Sequence, residues 1–202
     1  MLKVGLTGSI AVGKSFVCEV LSEQGCIVMD ADRAAREVVE PGTVGLRRVV
    51  DEFGSAVLAS DGSLNREKLG RIIFSDPAKR QLLNSLLHPL IIDLQDDWLK
   101  RQEAVYPAGI AVIDAALMIE SGSYKRFDEL VVVWCESNIQ LNRLMKRDGI
   151  GRKEARQRIE SQLPQEEKKG YATYLIDTSG GFEETRENTL EVLEILRRKA
   201  RA

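Results

Sequence analysis

The sequence predicts an α/β protein in which a five-stranded parallel sheet is sandwiched by helices. Two observations predict the class. Five short β-rich runs, residues 2–7, 26–30, 110–114, 130–135 and 174–177, are mostly near-continuous apolar stretches and not alternating ones. Strands buried on both faces read that way, as in a parallel sheet covered by helices. Between the runs, apolar residues recur at helical spacing. A third observation marks the ligand side. Three runs end at Asp30, Asp114 and Asp177, and open α/β sheets bind ligands beyond the carboxyl ends of their strands.

The first run leads into Gly8-Ser9-Ile10-Ala11-Val12-Gly13-Lys14-Ser15, a match to GxxxxGK[ST] between a strand and a helix. That setting gives the motif its meaning. Glycines let the backbone curl with its N–H groups inward, and the helix N-terminus adds partial positive charge. Gly8, Ser9, Ile10, Ala11, Val12, Gly13, Lys14, Ser15 and the adjoining Phe16 are therefore candidate ATP-binding residues. A lysine at this place reaches the β- and γ-phosphates, and the Ser15 hydroxyl is a Mg²⁺ ligand by type. The prediction is a P-loop NTPase with ATP as co-substrate and Mg²⁺ as cofactor. The plainer reading of the same residues is a Gly-rich turn with a solvated lysine.

Residues 16–21 continue as a helix, and Gly25 ends it as a C′ residue. About 80 residues then separate the second and third runs, far more than one crossover needs. They predict an inserted helical subdomain over approximately 31–108, inside a single domain spanning 1–202. Asp61-Gly62 marks a turn within it. Leu82, Leu83, Leu86, Leu87, Leu90, Ile91, Leu94 and Trp98 form an apolar stripe. Pro89 interrupts that stripe, which predicts two helices or a kink at His88-Pro89. Residues 182–198 form the last helix, with acids in its first turn and arginines in its last, matching the helix dipole.

Composition excludes several classes. The chain of 202 residues is 44% apolar and 30% charged, which is neither disordered nor fibrous. Its longest clean apolar run, 130–135, is too short for a bilayer that needs about 20 residues, and residues 1–15 lack the apolar core of a secretory signal. Cys18, Cys26 and Cys135 read as reduced core thiols of a cytoplasmic protein. One histidine and no CxxC exclude a Cys/His zinc site. A net charge of −2 gives no case for nucleic acid or a membrane surface.

The motif says nucleoside triphosphate, not what is done with it. No NKxD base-reading motif and no LSGGQ signature is present, and Asp177-Thr178-Ser179-Gly180 comes too late for a switch DxxG. Small-molecule kinases remain, because the chain offers both an insertion for an acceptor and a basic lid. Residues 143–158 hold seven basic side chains against two acidic ones. Arg143 and Arg147 share a helix face, and Asp148-Gly149-Ile150-Gly151 breaks the helix into a helix–turn–helix. Arginines over a transferring phosphoryl group stabilise its charge. A solvated basic face is the alternative. A nucleic-acid patch is disfavoured because no aromatic side chain is interleaved.

Asp30 and Asp32 flank the end of the second run. Helix capping is the bland reading. The chemical one is a carboxylate that takes the proton of an acceptor hydroxyl and aligns its oxygen for in-line attack. Asp114 is a candidate for orienting Mg²⁺-bound water, or a cap of the following turn.

Taken together the motifs resemble those of the dephospho-CoA kinases, over almost the whole chain. The resemblance is carried by Gly5-Leu6-Thr7-Gly8-Ser9-Ile10 into Gly13-Lys14-Ser15, then Asp30-Ala31-Asp32 with Ala35-Arg36. It continues through Glu40-Pro41-Gly42, Asp61-Gly62, Leu86-Leu87-His88-Pro89, and Gln140-Leu141 to Arg147. It implies transfer of the ATP γ-phosphoryl group to the ribose 3′-hydroxyl of dephospho-CoA, the last step of CoA synthesis. It also implies a nucleotide-kinase core with a helical CoA subdomain and a lid, here approximately 141–165. Asp32 matches the family's proposed base, Lys14 and Ser15 its phosphate and Mg²⁺ residues, and Arg143 and Arg147 lie in its lid. Arg36 and His88 are candidate acceptor-binding residues. Two places depart from the family pattern. Ala116 stands where the family commonly has proline in the loop Asp114 to Glu120. Thr178 stands where it usually has asparagine, near the expected adenine. Other nucleoside or nucleotide kinases, and a nucleotide-binding regulatory protein, remain the competing expectations.

Overall fold

The structure, a computed structural model, describes residues 1–74 and 76–201. Its strands are β1 Leu2–Thr7, β2 Ile27–Asp30, β3 Ile110–Asp114, β4 Glu129–Trp134 and β5 Tyr174–Asp177. They form one parallel sheet in the order β2-β3-β1-β4-β5. β2 starts one residue later than the apolar run predicts, and β4 sits one residue earlier. Glu129 enters β4 despite its charge because the Lys199 ammonium pairs with its carboxylate.

The helices are α1 Lys14–Glu23, α2 Ala31–Glu37, α3 Val44–Phe53, α4 Arg66–Phe74 and α5 Pro77–Val105, then α6 Ser137–Asp148, α7 Arg152–Glu160, α8 Gln165–Lys169 and α9 Phe182–Arg201. α1 ends as its sequence predicts. Gln24 is the C-cap, and Gly25 follows at φ 86°, its N–H bonded to the Ser22 carbonyl at 3.0 Å. Val17 and Leu21 of α1 and Val192, Leu193 and Leu196 of α9 close over Val4, Leu6, Val112, Val131, Val133 and Ile176 of the sheet. Burying a side chain of this kind contributes about 1.5–3 kcal/mol, so the continuous apolar runs hold the sheet between helices.

The chain divides into two compact units, residues 1–30 with 101 onward, and Ala31–Lys100. The second has its own core of Val38, Val39, Val49, Val57, Leu69 and Leu83. In it Thr43 caps α3, its Oγ1 accepting the Leu46 N–H at 3.1 Å. The Asp61-Gly62 turn forms with Gly62 at φ 80° and Asp61 Oδ1 accepting the Ser63 N–H at 3.0 Å. Of the two expectations at His88-Pro89, that of two separate helices is corrected: α5 runs through Pro89 as one helix. Pro89 lacks an N–H for the Ser85 carbonyl four residues back, but both residues are exposed, so water can take that bond. On the inward side Leu83, Leu87, Leu90, Ile91 and Leu94 hold the helix down.

β1 is central, between β3 and β4. The chain leaves β1 for β2 and returns through β3 before crossing to β4 and β5. The loop after β1 therefore lies at the point where the strand order reverses, the place where such sheets bind ligands.

Candidate active site

The loop from Gly8 to Ser15 turns tightly at the carboxyl end of β1. A Cβ at Gly8 would stand 2.4 Å from the Val133 carbonyl oxygen, so only glycine fits there. Gly13 is at φ 94°, and Ala11 at φ 60° is the described non-glycine residue in that region. Holding an alanine there costs on the order of 1–2 kcal/mol. Such strain persists only where the surroundings enforce it.

No side chain caps α1, which starts from Gly13. Phe16 N–H bonds the Gly13 carbonyl at 3.1 Å, but the N–H groups of Gly13, Lys14 and Ser15 reach no acceptor among the described residues. Three consecutive free donors at a helix N-terminus make an anion site. Ser9 adds to it. Its Oγ is buried and has no hydrogen-bond partner among the described residues, so a phosphate oxygen is the kind of acceptor it lacks. The Phe16 ring turns to Phe182, edge to face with centroids 4.9 Å apart.

Lys14 Nζ donates to Asp114 Oδ1 at 2.5 Å, with both side chains largely but not fully buried. Asp114 stands at the end of β3, in register with Asp30 at the end of β2. Cys18 lies one helical turn beyond Lys14, within the electrostatic reach of the same carboxylate. Burial first, and the Asp114 charge next, push its thiol up to about 12, so Cys18 stays protonated. Cys26 is likewise pushed up to about 11, by burial. The loop after Asp114 lacks the family's proline, yet Ala116 is pinned: its carbonyl accepts from Thr7 Oγ1 at 3.2 Å and from Lys168 Nζ at 2.8 Å. Lys168 is fully buried and also pairs with Glu120 at 2.8 Å.

Arg143 grips Thr178 twice, at Oγ1 (2.8 Å) and at the carbonyl (2.7 Å). Thr178 Oγ1 donates to the Val12 carbonyl at 2.6 Å. Arg143 of α6 thus reaches the phosphate loop through one buried hydroxyl. Arg147 is not drawn in with it. Its Nε bonds Asp148 at 2.7 Å, and Arg158 holds the other Asp148 oxygen at 2.7 Å. The basic segment forms α6 and α7 joined through Gly149 at φ 65°.

Asp32 and Arg36 lie in the first and last turns of α2, and His88 lies on α5; all three are exposed. They belong to the second unit. Lys14, Ser15, Asp114 and Arg143 belong to the first. The sequence reading missed Gln162 and Lys168. Both sit in polar stretches that read as solvated, and no local pattern marks them. Thr178 stood out only as a departure from the family.

Hard oxygen donors fit Mg²⁺, which takes one or two protein ligands beside substrate phosphates and water. Exposed Ser15 and the Asp114 carboxylate are donors of that kind.

A phosphate loop on the central strand of a parallel sheet, backed by a lysine and faced by a basic helix pair, defines the class: a P-loop kinase fold. The chain matches the dephospho-CoA kinase family over residues 2–184, and it belongs to that family. It is 44% identical over 195 residues to a dephospho-CoA kinase domain-containing protein of Danio rerio, covering 95% of this chain and 84% of the relative. It is 43% identical over 191 residues to the dephospho-CoA kinase of Geobacter sulfurreducens, covering 94% and 95%. A crystal structure of a Thermus thermophilus protein superposes with a TM-score of 0.82 at 30% identity, covering 96% of each chain.

Proposed function

We propose that this protein phosphorylates the ribose 3′-hydroxyl of dephospho-CoA with ATP, giving CoA and ADP, the last step of CoA biosynthesis. Kinase activity and the acceptor class follow from family membership. The structural observation that carries the reading is the run of free N–H groups at Gly13, Lys14 and Ser15 beside the buried Ser9 hydroxyl. Donors fixed in place before substrate arrives stabilise phosphoryl charge without reorganising.

Lys14 neutralises charge on the β- and γ-phosphates. Its bond to Asp114 holds the ammonium at the loop. Ser15, and Asp114 through water, would hold Mg²⁺, which bridges phosphate oxygens and neutralises charge when bound. Arg143 and Arg147, in a lid of approximately 141–165, supply cationic charge to the transferring group. Asp32 takes the proton from the acceptor hydroxyl and aligns its oxygen, while Asp30 is mainly structural or metal-associated. Residues of approximately 31–108, which include the compact unit Ala31–Lys100, serve as the CoA subdomain, with Arg36 and His88 as acceptor contacts. The reading is of a cytoplasmic enzyme, consistent with three free cysteines. No helix among the described residues is long and apolar enough to cross a membrane.

The test is direct. Purified protein is given Mg·ATP and dephospho-CoA, and product is read by mass. CoA is expected, with turnover lost on chelation of Mg²⁺. No CoA, alongside phosphorylation of adenosine or a nucleoside monophosphate, would move the acceptor to the nucleoside or nucleotide class.

A further inference from the structure

The tip of the phosphate loop is held by side chains from far along the chain. Ile10 N–H donates to Gln162 Oε1 at 2.8 Å, and the Ile10 carbonyl accepts from Gln140 Nε2 at 2.8 Å. Both backbone groups of one residue are thus taken by glutamine amides, from 152 and 130 positions away. Gln140 is only 2% exposed. Its Oε1 accepts from Gln165 Nε2 at 2.8 Å, and Gln165 Oε1 accepts the Cys135 N–H at 3.1 Å. The direction of this relay is dictated by its ends. A backbone N–H only donates and a carbonyl only accepts, so neither Gln165 nor Gln140 can flip its amide without two mismatched contacts.

We propose that Gln140, Gln162 and Gln165 are positioning residues for the phosphate loop. They fix the peptide planes on either side of Ile10, so that the donors further along, at Gly13, Lys14 and Ser15, stay turned to the nucleotide. The chemistry suits the task. A loop built to receive a polyanion needs an acceptor for Ile10 N–H that carries no charge, and an amide is neutral where a carboxylate would repel phosphate. The relay also joins the loop to the segment between α7 and α8 that carries Gln162, and to the end of β4. Ile10 packs there against Leu141, Leu144 and Ala155. The lid segment and the loop are therefore coupled through hydrogen bonds to one residue. This inference rests on the ATP-binding reading above.

Calorimetric titration with Mg·ATP, without acceptor, separates the two. Wild type is compared with Gln162→Leu, Gln140→Leu and Gln140→Glu, with melting temperature and the KM of both substrates measured alongside. Gln162→Leu and Gln140→Leu are expected to weaken Mg·ATP roughly tenfold, the scale of one buried hydrogen bond with its partner left unmade. KM for dephospho-CoA should stay within about twofold, since the bonds of the relay run to the phosphate loop, to one another and to Cys135. Gln140→Glu should be weaker than Gln140→Leu, because a carboxylate oxygen then faces the Ile10 carbonyl. A space-filling role predicts instead that leucine is tolerated and ATP affinity kept. Should Gln140→Leu fail to fold, Gln162→Leu decides alone, since Gln162 lies outside any helix or strand. ATP affinity within twofold of wild type in the folded leucine variants overturns the inference. No ATP binding by wild type sinks the functional reading itself, and this one with it.

Discussion

Lys14 is the residue on which the chemistry and the structure meet most closely. Its ammonium is 2.5 Å from Asp114 and sits beside the free donors of α1. Lys14→Ala should lower kcat by roughly 10²–10³, as loss of one preorganised electrostatic group does. Melting temperature should fall only slightly, because the Asp114 side chain is 15% exposed and water can take the place of the ammonium. A collapse in melting temperature would give Lys14 a structural role instead. The two aspartates of the second strand's end make the sharper comparison. Asp32→Asn keeps shape and removes charge, and should cost roughly 10²–10⁴ in kcat if it is the base. Mg·ATP affinity should hardly change. Asp30→Asn should retain most turnover with dephospho-CoA saturating. If the Asp30 variant is dead and the Asp32 variant turns over normally, the roles are exchanged. Sequence alone named all three residues, since each is marked by a contiguous motif or a strand end. It did not name Thr178 as the contact of Arg143 with the loop, because nothing local to Thr178 points at Val12.

Elements matter through how they are tied. Arg143 on α6 bonds Thr178, and Thr178 bonds the Val12 carbonyl. Arg147 is engaged with Asp148. Arg143→Ala should therefore lower kcat and also raise KM for ATP by several-fold, while Arg147→Ala should lower kcat with ATP binding nearly unchanged. Steady-state kinetics on the pair decide it, and equal wild-type behaviour in both would return the segment to a solvated basic face. The post-β3 loop is tied to α8 by Lys168, fully buried, and Glu120, which is partly solvated. Removing either partner is not symmetric. Glu120→Ala leaves a buried ammonium without its counter-charge and should cost about 3–5 kcal/mol. Lys168→Met removes the buried charge itself and leaves a carboxylate that water can reach, so it should cost less, about 1–3 kcal/mol. Denaturant unfolding of both variants measures the order; Lys168→Met being the worse would refute it. This pair was illegible in the sequence, where Gln165-Glu166-Glu167-Lys168-Lys169 reads as a solvated charged turn. The same gap explains the reading of α5. Pro89 announces a break locally, but five inward leucines and isoleucines and an exposed Ser85 carbonyl decide for one helix.

At the scale of the whole molecule, nucleotide binding should appear as stability. Mg·ATP at about 100 times its Kd adds about 2.7 kcal/mol to the folded state, which for a chain of this size raises the melting temperature by roughly 5–10 °C. Thermal shift with and without nucleotide checks it, and no shift at saturation would argue against a preformed phosphate site. The class of fold, the strand positions, the phosphate loop and the family were determined by the sequence itself. The physical reason is that each rests on neighbours in the chain: an apolar run buried on both faces, or a glycine, a lysine and a serine within one turn. The pairing of Lys14 with Asp114, the Arg143–Thr178–Val12 chain, the glutamine relay on Ile10 and the burial of Lys168 were decided only by the tertiary structure. They join residues from 25 to 166 positions apart. Which distant polar groups meet depends on the order in which parallel strands are laid side by side, and no local pattern of residues carries that order.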